Sequence, residues 1–150
     1  MEAKMLERKY FIAVRLDPGD EVISSLEKAC EENNIRSGII IGLGAMKKAV
    51  VITKASPEKI RAEFEELEGP IEMSVAHGNV SVKDGKPFIH LHASISLLPN
   101  TEEGGKGEAR TLNTHLKEGV ISLTGEFFIL ETGEIGREFN DKIGMHTWSF

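Results

Sequence analysis

Cysteine is nearly absent. Cys30 stands alone, so no intrachain disulfide can staple the fold and a packed core must hold it. That scarcity fits a reducing compartment. Long apolar runs are missing too: none reaches the roughly 18 residues that mark a membrane-spanning helix. Met1–Lys9 is charged, with no apolar block or small-residue cleavage site after it. The sequence therefore predicts a cytoplasmic protein with no membrane partner. Clustered positive charge is equally sparse. The net charge is −6 and the basic clusters are only Arg8-Lys9 and Lys47-Lys48, too short to follow a phosphate backbone. Direct nucleic-acid binding is not expected without a partner. Gln and Cys are scarce beside plentiful Glu and Lys, a bias shared with heat-adapted proteins.

What is present is ordinary globular material: 150 residues, 40% hydrophobic and 28% charged, enough for one domain with a sizeable core. Tyr10–Leu16 alternates as a strand. Asp17-Pro18-Gly19-Asp20 reads as a helix start, with Asp17 as the cap and Pro18 at the first helical position. Val22, Ile23, Leu26, Ala29 and Cys30 then repeat at helical spacing up to Asn33-Asn34, which makes Cys30 a small core residue rather than a nucleophile. Ser37–Met46 and Ala49–Thr53 read as strands. Gly42 and Gly44 invite a dinucleotide fingerprint, but its next glycine falls at Lys47 and no helix follows. A bulge or a close backbone approach is the better use for them.

Lys54–Gly69 reads as a charged connection anchored by Phe64 and Leu67. Ile71–Val75 and Val80–Val82 are strand segments, and Asp84-Gly85 marks a hairpin into Phe88–Ile95. Pro99–Arg110 is a polar, glycine-rich loop and Val120–Leu130 a further strand. The tail beyond Glu131 is less regular, with Phe139, Ile143, Met145, Trp148 and Phe150 available to pack on the domain or on a partner subunit. One helix among neighbouring strands predicts a single α+β domain, a mostly antiparallel sheet packed around one main helix.

The chemistry gathers at Phe88-Ile89-His90-Leu91-His92-Ala93-Ser94. Strand side chains alternate with period two, so Ile89, Leu91, Ala93, Ile95 and Leu97 share the core face. His90 and His92 then lie together on the other face. His115, ahead of the strand Val120–Leu130, could join them from a neighbour. Three imidazoles suit zinc, nickel or copper, zinc being the most available, and leave a fourth tetrahedral position open. His77, before Gly78-Asn79, and His146, beside Trp148, are weaker candidates for a hydrogen bond or for completing a site from another subunit.

At these residues the chain resembles the PPC (plants and prokaryotes conserved) domain, also called DUF296, over about residues 9–130 of a domain spanning 1–150. The resemblance runs through Val14-Arg15-Leu16-Asp17-Pro18-Gly19-Asp20-Glu21, Ile41-Gly42-Leu43-Gly44-Ala45 and Gly69-Pro70-Ile71-Glu72. It is densest at Gly78-Asn79-Val80-Ser81, Asp84–His92, His115-Leu116 and Gly119-Val120. It implies a homotrimer with a metal site on His90, His92 and His115 near the subunit interface. The family usually carries Gly-Gly before the third histidine, where this chain has Asn113-Thr114. Plant members join the domain to an AT-hook that contacts AT-rich DNA. This chain has no Arg-Gly-Arg hook core, so a DNA-binding or co-regulatory role would need a partner.

The expected function is thus a zinc-binding homotrimer of unassigned role. A zinc-dependent hydrolase or lyase is the catalytic alternative, because a His-x-His strand pair with a later third histidine is similar to zinc binding in α-carbonic anhydrases, on an unrelated fold. Such chemistry needs a base or orienting group, for which Glu126, Ser94 and Thr124 are the candidates.

Overall fold

Long runs of alternating side chains, broken by few turn signals, give long strands. The computed structural model describes residues 11–56, 61–99 and 108–150. Tyr10 and most of the Pro99–Arg110 loop lie outside the described residues. In chain order the elements are β1 (Phe11–Leu16), α1 (Val22–Glu32), β2 (Gly38–Ser56), β3 (Arg61–Lys83), β4 (Lys86–Leu97), β5 (Arg110–Glu131), β6 (Gly136–Asn140) and β7 (Met145–Ser149). No helix among the described residues is long and apolar enough to cross a membrane.

The fold is mostly β, which corrects the expected α+β class: 72% of the described residues are in strands and 9% are helical. Two segments account for the difference. Lys54–Gly69, read as a connection, is largely strand: β3 pairs with β2 through Phe64↔Ile52, Glu66↔Val50 and Glu68↔Lys48. Its acids are strand residues with cross-strand partners, Lys48 for Glu66 at 2.9 Å and Arg110 for Glu65. Leu67 is buried as anticipated, but Phe64 is half-exposed beneath the Lys117 ammonium, 4.8 Å from the ring centre. The tail is likewise regular, β6 and β7 forming a hairpin from Gly136↔Ser149 to Asn140↔Met145.

The sheet runs β1-β5-β2-β3-β6-β7, with β4 paired to both β3 and β5. Because β5 also pairs with β2, the strands β2, β3, β4 and β5 close a circuit of antiparallel pairs. Its buried face carries Ile40, Met46, Met73, Leu91, Ile95, Ile121 and Phe127, with α1 contributing Val22, Leu26 and Cys30. Burial pushes the Cys30 thiol up to about 12, in keeping with a core residue.

The helix starts later than the Asp17-Pro18 signal suggests. Gly19 has φ +98, outside helical space, and its N–H bonds to the Ile121 carbonyl while Ile121 N–H bonds back to Asp20. With that turn pinned to β5, Glu21 becomes the cap, its carboxylate accepting from Ile23 and Ser24 N–H at 3.1 and 2.7 Å.

Gly42 and Gly44 flank a register shift, as a bulge requires, and a Cβ on Gly42 would lie 2.2 Å from the Phe127 ring. Gly78 is tighter against backbone: a Cβ there would stand 2.1 Å from the His90 carbonyl oxygen. Gly78→Ala is therefore expected to destabilise the protein by about 1–3 kcal/mol, read as a lower urea midpoint.

Candidate metal centre

Each histidine arrives through strand register. Antiparallel partners project to the same side of a sheet, so the pairings Phe128↔Ile41, Ile41↔His77, His77↔His92 and His92↔His115 form one row across four strands. His90 is two residues before His92 on β4, on the same outer face, while Ile89, Leu91, Ala93 and Ile95 are buried beneath. The alternation expected of β4 is what the fold uses.

His90, His92 and His115 bring one ring nitrogen each to within 4.8 Å of one another, and no fourth His, Cys or carboxylate joins them among the described residues. Ring centres are 5.1 Å apart for His90–His92, 5.1 Å for His90–His115 and 5.3 Å for His92–His115. The Nε2 atoms of His90 and His92 are 3.3 Å apart. Two ligands at about 2.0–2.1 Å from a tetrahedral zinc are separated by about 3.3–3.4 Å, so this pair already has the spacing of a coordination edge. The donor set fits a borderline-soft divalent ion.

Burial, more than charge, keeps these rings neutral. His90 is lowered to about 4, first by burial and then by His115, Arg137 and His92. Burial followed by His92 lowers His115, and burial followed by His77 lowers His92. Neutral imidazole is the form that binds metal.

Arg137 of β6, which no sequence signal singled out, holds the back of the site. Its Nε donates to Ser81 Oγ at 2.7 Å, one terminal nitrogen donates to Asn79 Oδ1 at 3.2 Å and the other to the His146 carbonyl at 3.3 Å. The nitrogen bonded to Asn79 also reaches His90 Nδ1 at 3.4 Å. A guanidinium can only donate, so His90 Nδ1 accepts. The ring proton then sits on Nε2 and points at His92. Coordination through Nε2 would put that proton on Nδ1 and release the arginine N–H.

The other candidates are placed differently. His77 is exposed, its ring centre 6.3 Å from His92. His146 packs edge-on against Phe139, 5.4 Å between centres, and lines a cavity beside the triad. Ser94 is paired with Asn113 next to His92. Glu126 pairs with Arg15 and Leu43. Thr124 is near it on β5, its carbonyl facing Gly44. The strands β2 and β3 intervene between Glu126 and β4, three strand spacings or on the order of 14 Å along the sheet. Asn113-Thr114 keeps regular pairing with Ser94 and Ala93, without positive φ, and the Thr114 hydroxyl donates to the Ile52 carbonyl.

Comparison with known proteins places these features in context. The family model for the Plants and Prokaryotes Conserved (PCC) domain matches residues 6–133. A metal-containing protein from Archaeoglobus fulgidus has a similar structure, with 30% identity, a TM-score of 0.85 and 100% of both chains covered. A plant- and prokaryote-conserved protein from Pyrococcus horikoshii shares 29% identity at a TM-score of 0.82, covering 100% of this chain and 98% of that one. A protein from Bacteroides thetaiotaomicron, described as a candidate DNA-binding protein, shares the fold at 22% identity and a TM-score of 0.81, covering 98% of this chain and 99% of its own. No curated protein matches the chain.

In the metal-free chain His90 should titrate near pH 4 by NMR. Its folded value is below the unfolded value of about 6.5, so the unfolded state takes up the proton first. Stability is then complete above about pH 6.5 and falls as the pH drops toward 4. His90→Gln should flatten that part of the urea-midpoint profile.

Proposed function

The chain belongs to the Plants and Prokaryotes Conserved domain family, and from that premise we propose that it is a metal-binding homotrimer carrying zinc on His90, His92 and His115. The observation that carries this reading is the 3.3 Å edge between the His90 and His92 Nε2 atoms, with the His115 nitrogen in reach. The metal-containing Archaeoglobus relative supports it. Held by three imidazoles, such an ion would supply a Lewis acid and would lower the pKa of a bound water.

The trimer reading is supported by the surface around the triad. The row of histidines continues into Ile41 and Phe128, and beside it lie Ile39, Leu43 and Phe11, all about half-exposed. Phe11 and Phe128 stack edge-to-face at 6.4 Å on that surface. A contiguous apolar patch on a sheet is costly in water, and subunit packing would bury it.

Elemental analysis of protein purified without a histidine tag should find one zinc per chain. Loss of any one ligand, as in His92→Ala, should weaken zinc by more than about 100-fold, exceeding the usual effect of a supporting residue. Absence of stoichiometric metal after zinc addition would overturn the metal reading. Light scattering should give three times the 16.5 kDa chain mass, and Ile41→Lys or Phe128→Lys should shift it toward the monomer.

A further inference from the structure

A cavity of about 750 Å³ opens beside the triad, between β4 and the β6–β7 hairpin, and two of the proposed ligands, His90 and His115, form part of its wall. Its lining contains two basic side chains, Lys83 and Arg137, and no Asp or Glu side chain among the described residues. In a chain of net charge −6, such a local excess of positive charge needs a reason. Every salt bridge described for the fold lies elsewhere, at Arg15, Lys28, Arg36, Lys48, Arg110 and Lys117. Among the described residues Arg137 instead has neutral partners: a hydroxyl, an amide oxygen, a carbonyl and an imidazole. Four contacts orient it, and no carboxylate among the described residues neutralises it.

Beside Asn79, Thr147 and the histidines, the wall carries the apolar side chains Phe88, Met145, Trp148 and Phe150. Phe88 is within reach of both cations, the Lys83 ammonium 5.3 Å and the Arg137 guanidinium 5.1 Å from its ring centre. Trp148 and Phe150 line the same cavity as an edge-to-face pair at 6.3 Å and are about half-exposed. Oriented cations beside aromatic walls are the parts of a site for an organic anion.

We propose that this cavity binds a small oxyanion bearing an apolar group, its anionic end on Arg137 and Lys83 and its apolar body among Phe88, Trp148 and Phe150. The position next to the triad rests on the metal reading: Arg137, which would hold the oxyanion, contacts the proposed ligand His90 at Nδ1. Metal and anion also share Arg137. Coordination at His90 Nε2 frees the arginine N–H that now serves Nδ1, so metal occupancy favours the anion, and by linkage the anion favours the metal.

Titration calorimetry on the full chain, zinc-loaded and metal-stripped, tests this with benzoate, phenyl phosphate, inorganic phosphate and anilinium as probes. Benzoate or phenyl phosphate should bind at least tenfold more tightly than inorganic phosphate, and anilinium should not bind. Preference between the two aromatic anions identifies the anionic group as carboxylate or phosphate. Arg137→Gln should weaken binding at least tenfold. Lys83→Gln, which breaks no hydrogen bond described in the fold, should weaken it several-fold and guards against a folding defect in the arginine variant. Failure of both aromatic anions to bind the zinc-loaded protein, or binding to both variants as tight as to the wild type, overturns the proposal. If the chain takes up no zinc yet binds benzoate through Arg137, the metal reading fails and the anion site stands. Stoichiometric zinc without anion binding gives the reverse.

Discussion

The fold depends on one strand with several neighbours. β5 pairs with β4 through Arg110–His115, with β2 from Leu116 to Glu131, and with β1 from Gly125 to Leu130. This closes the strand circuit, leaves its interior to be filled by α1 and the apolar halves of the strands, and sets His115 directly opposite His92. A one-residue slip in the β4–β5 register would turn His115 into the core and expose Leu116. Burial of Leu116, Ile121, Phe127 and Ile129 on the same strand therefore holds the histidine in place. Core packing and site geometry are enforced by one set of hydrogen bonds.

The outer face is divided by chemistry. Toward β1 it is apolar and exposed, through Phe11, Ile41 and Phe128. Toward β4 it is imidazole, and the β6–β7 hairpin partly covers it, bringing Arg137 against His90 and His146 to the cavity rim. That cover removes water from the rings, and desolvation is the leading reason that His90, His92 and His115 stay neutral. The hairpin read from sequence as an irregular tail thus finishes the environment of the site.

Much of β4 was legible because its pattern is local. Alternation over Phe88–Leu97 told which residues face the core, and Asp84-Gly85 told where the strand begins; Asp84 and Gly85 do take positive φ, +52 and +79. Arg61–Gly69 was not legible, because its acids look like a solvated connection until Lys48 and Arg110 are set beside them by pairing. The Asp17-Pro18 helix start misled for a similar reason. A local cap signal lost to hydrogen bonds between the Gly19–Asp20 turn and Ile121, a hundred residues distant to within a few positions. Arg137 had no sequence signal at all, since its value lies in contacts with Asn79, Ser81 and His90 on other strands.

By itself the amino-acid sequence determined which residues could do chemistry and on which face of their strand they stand, because strand periodicity is a property of a few consecutive residues. It identified the His-x-His pair, the third histidine and the core role of Cys30. Only the tertiary structure decided that the class is mostly β, that Glu126 stands strands away from the triad, and that Arg137, held by neutral partners among the described residues, and an aromatic cavity adjoin it. Those are outcomes of register between segments far apart in the chain, set by the burial of many apolar side chains at once.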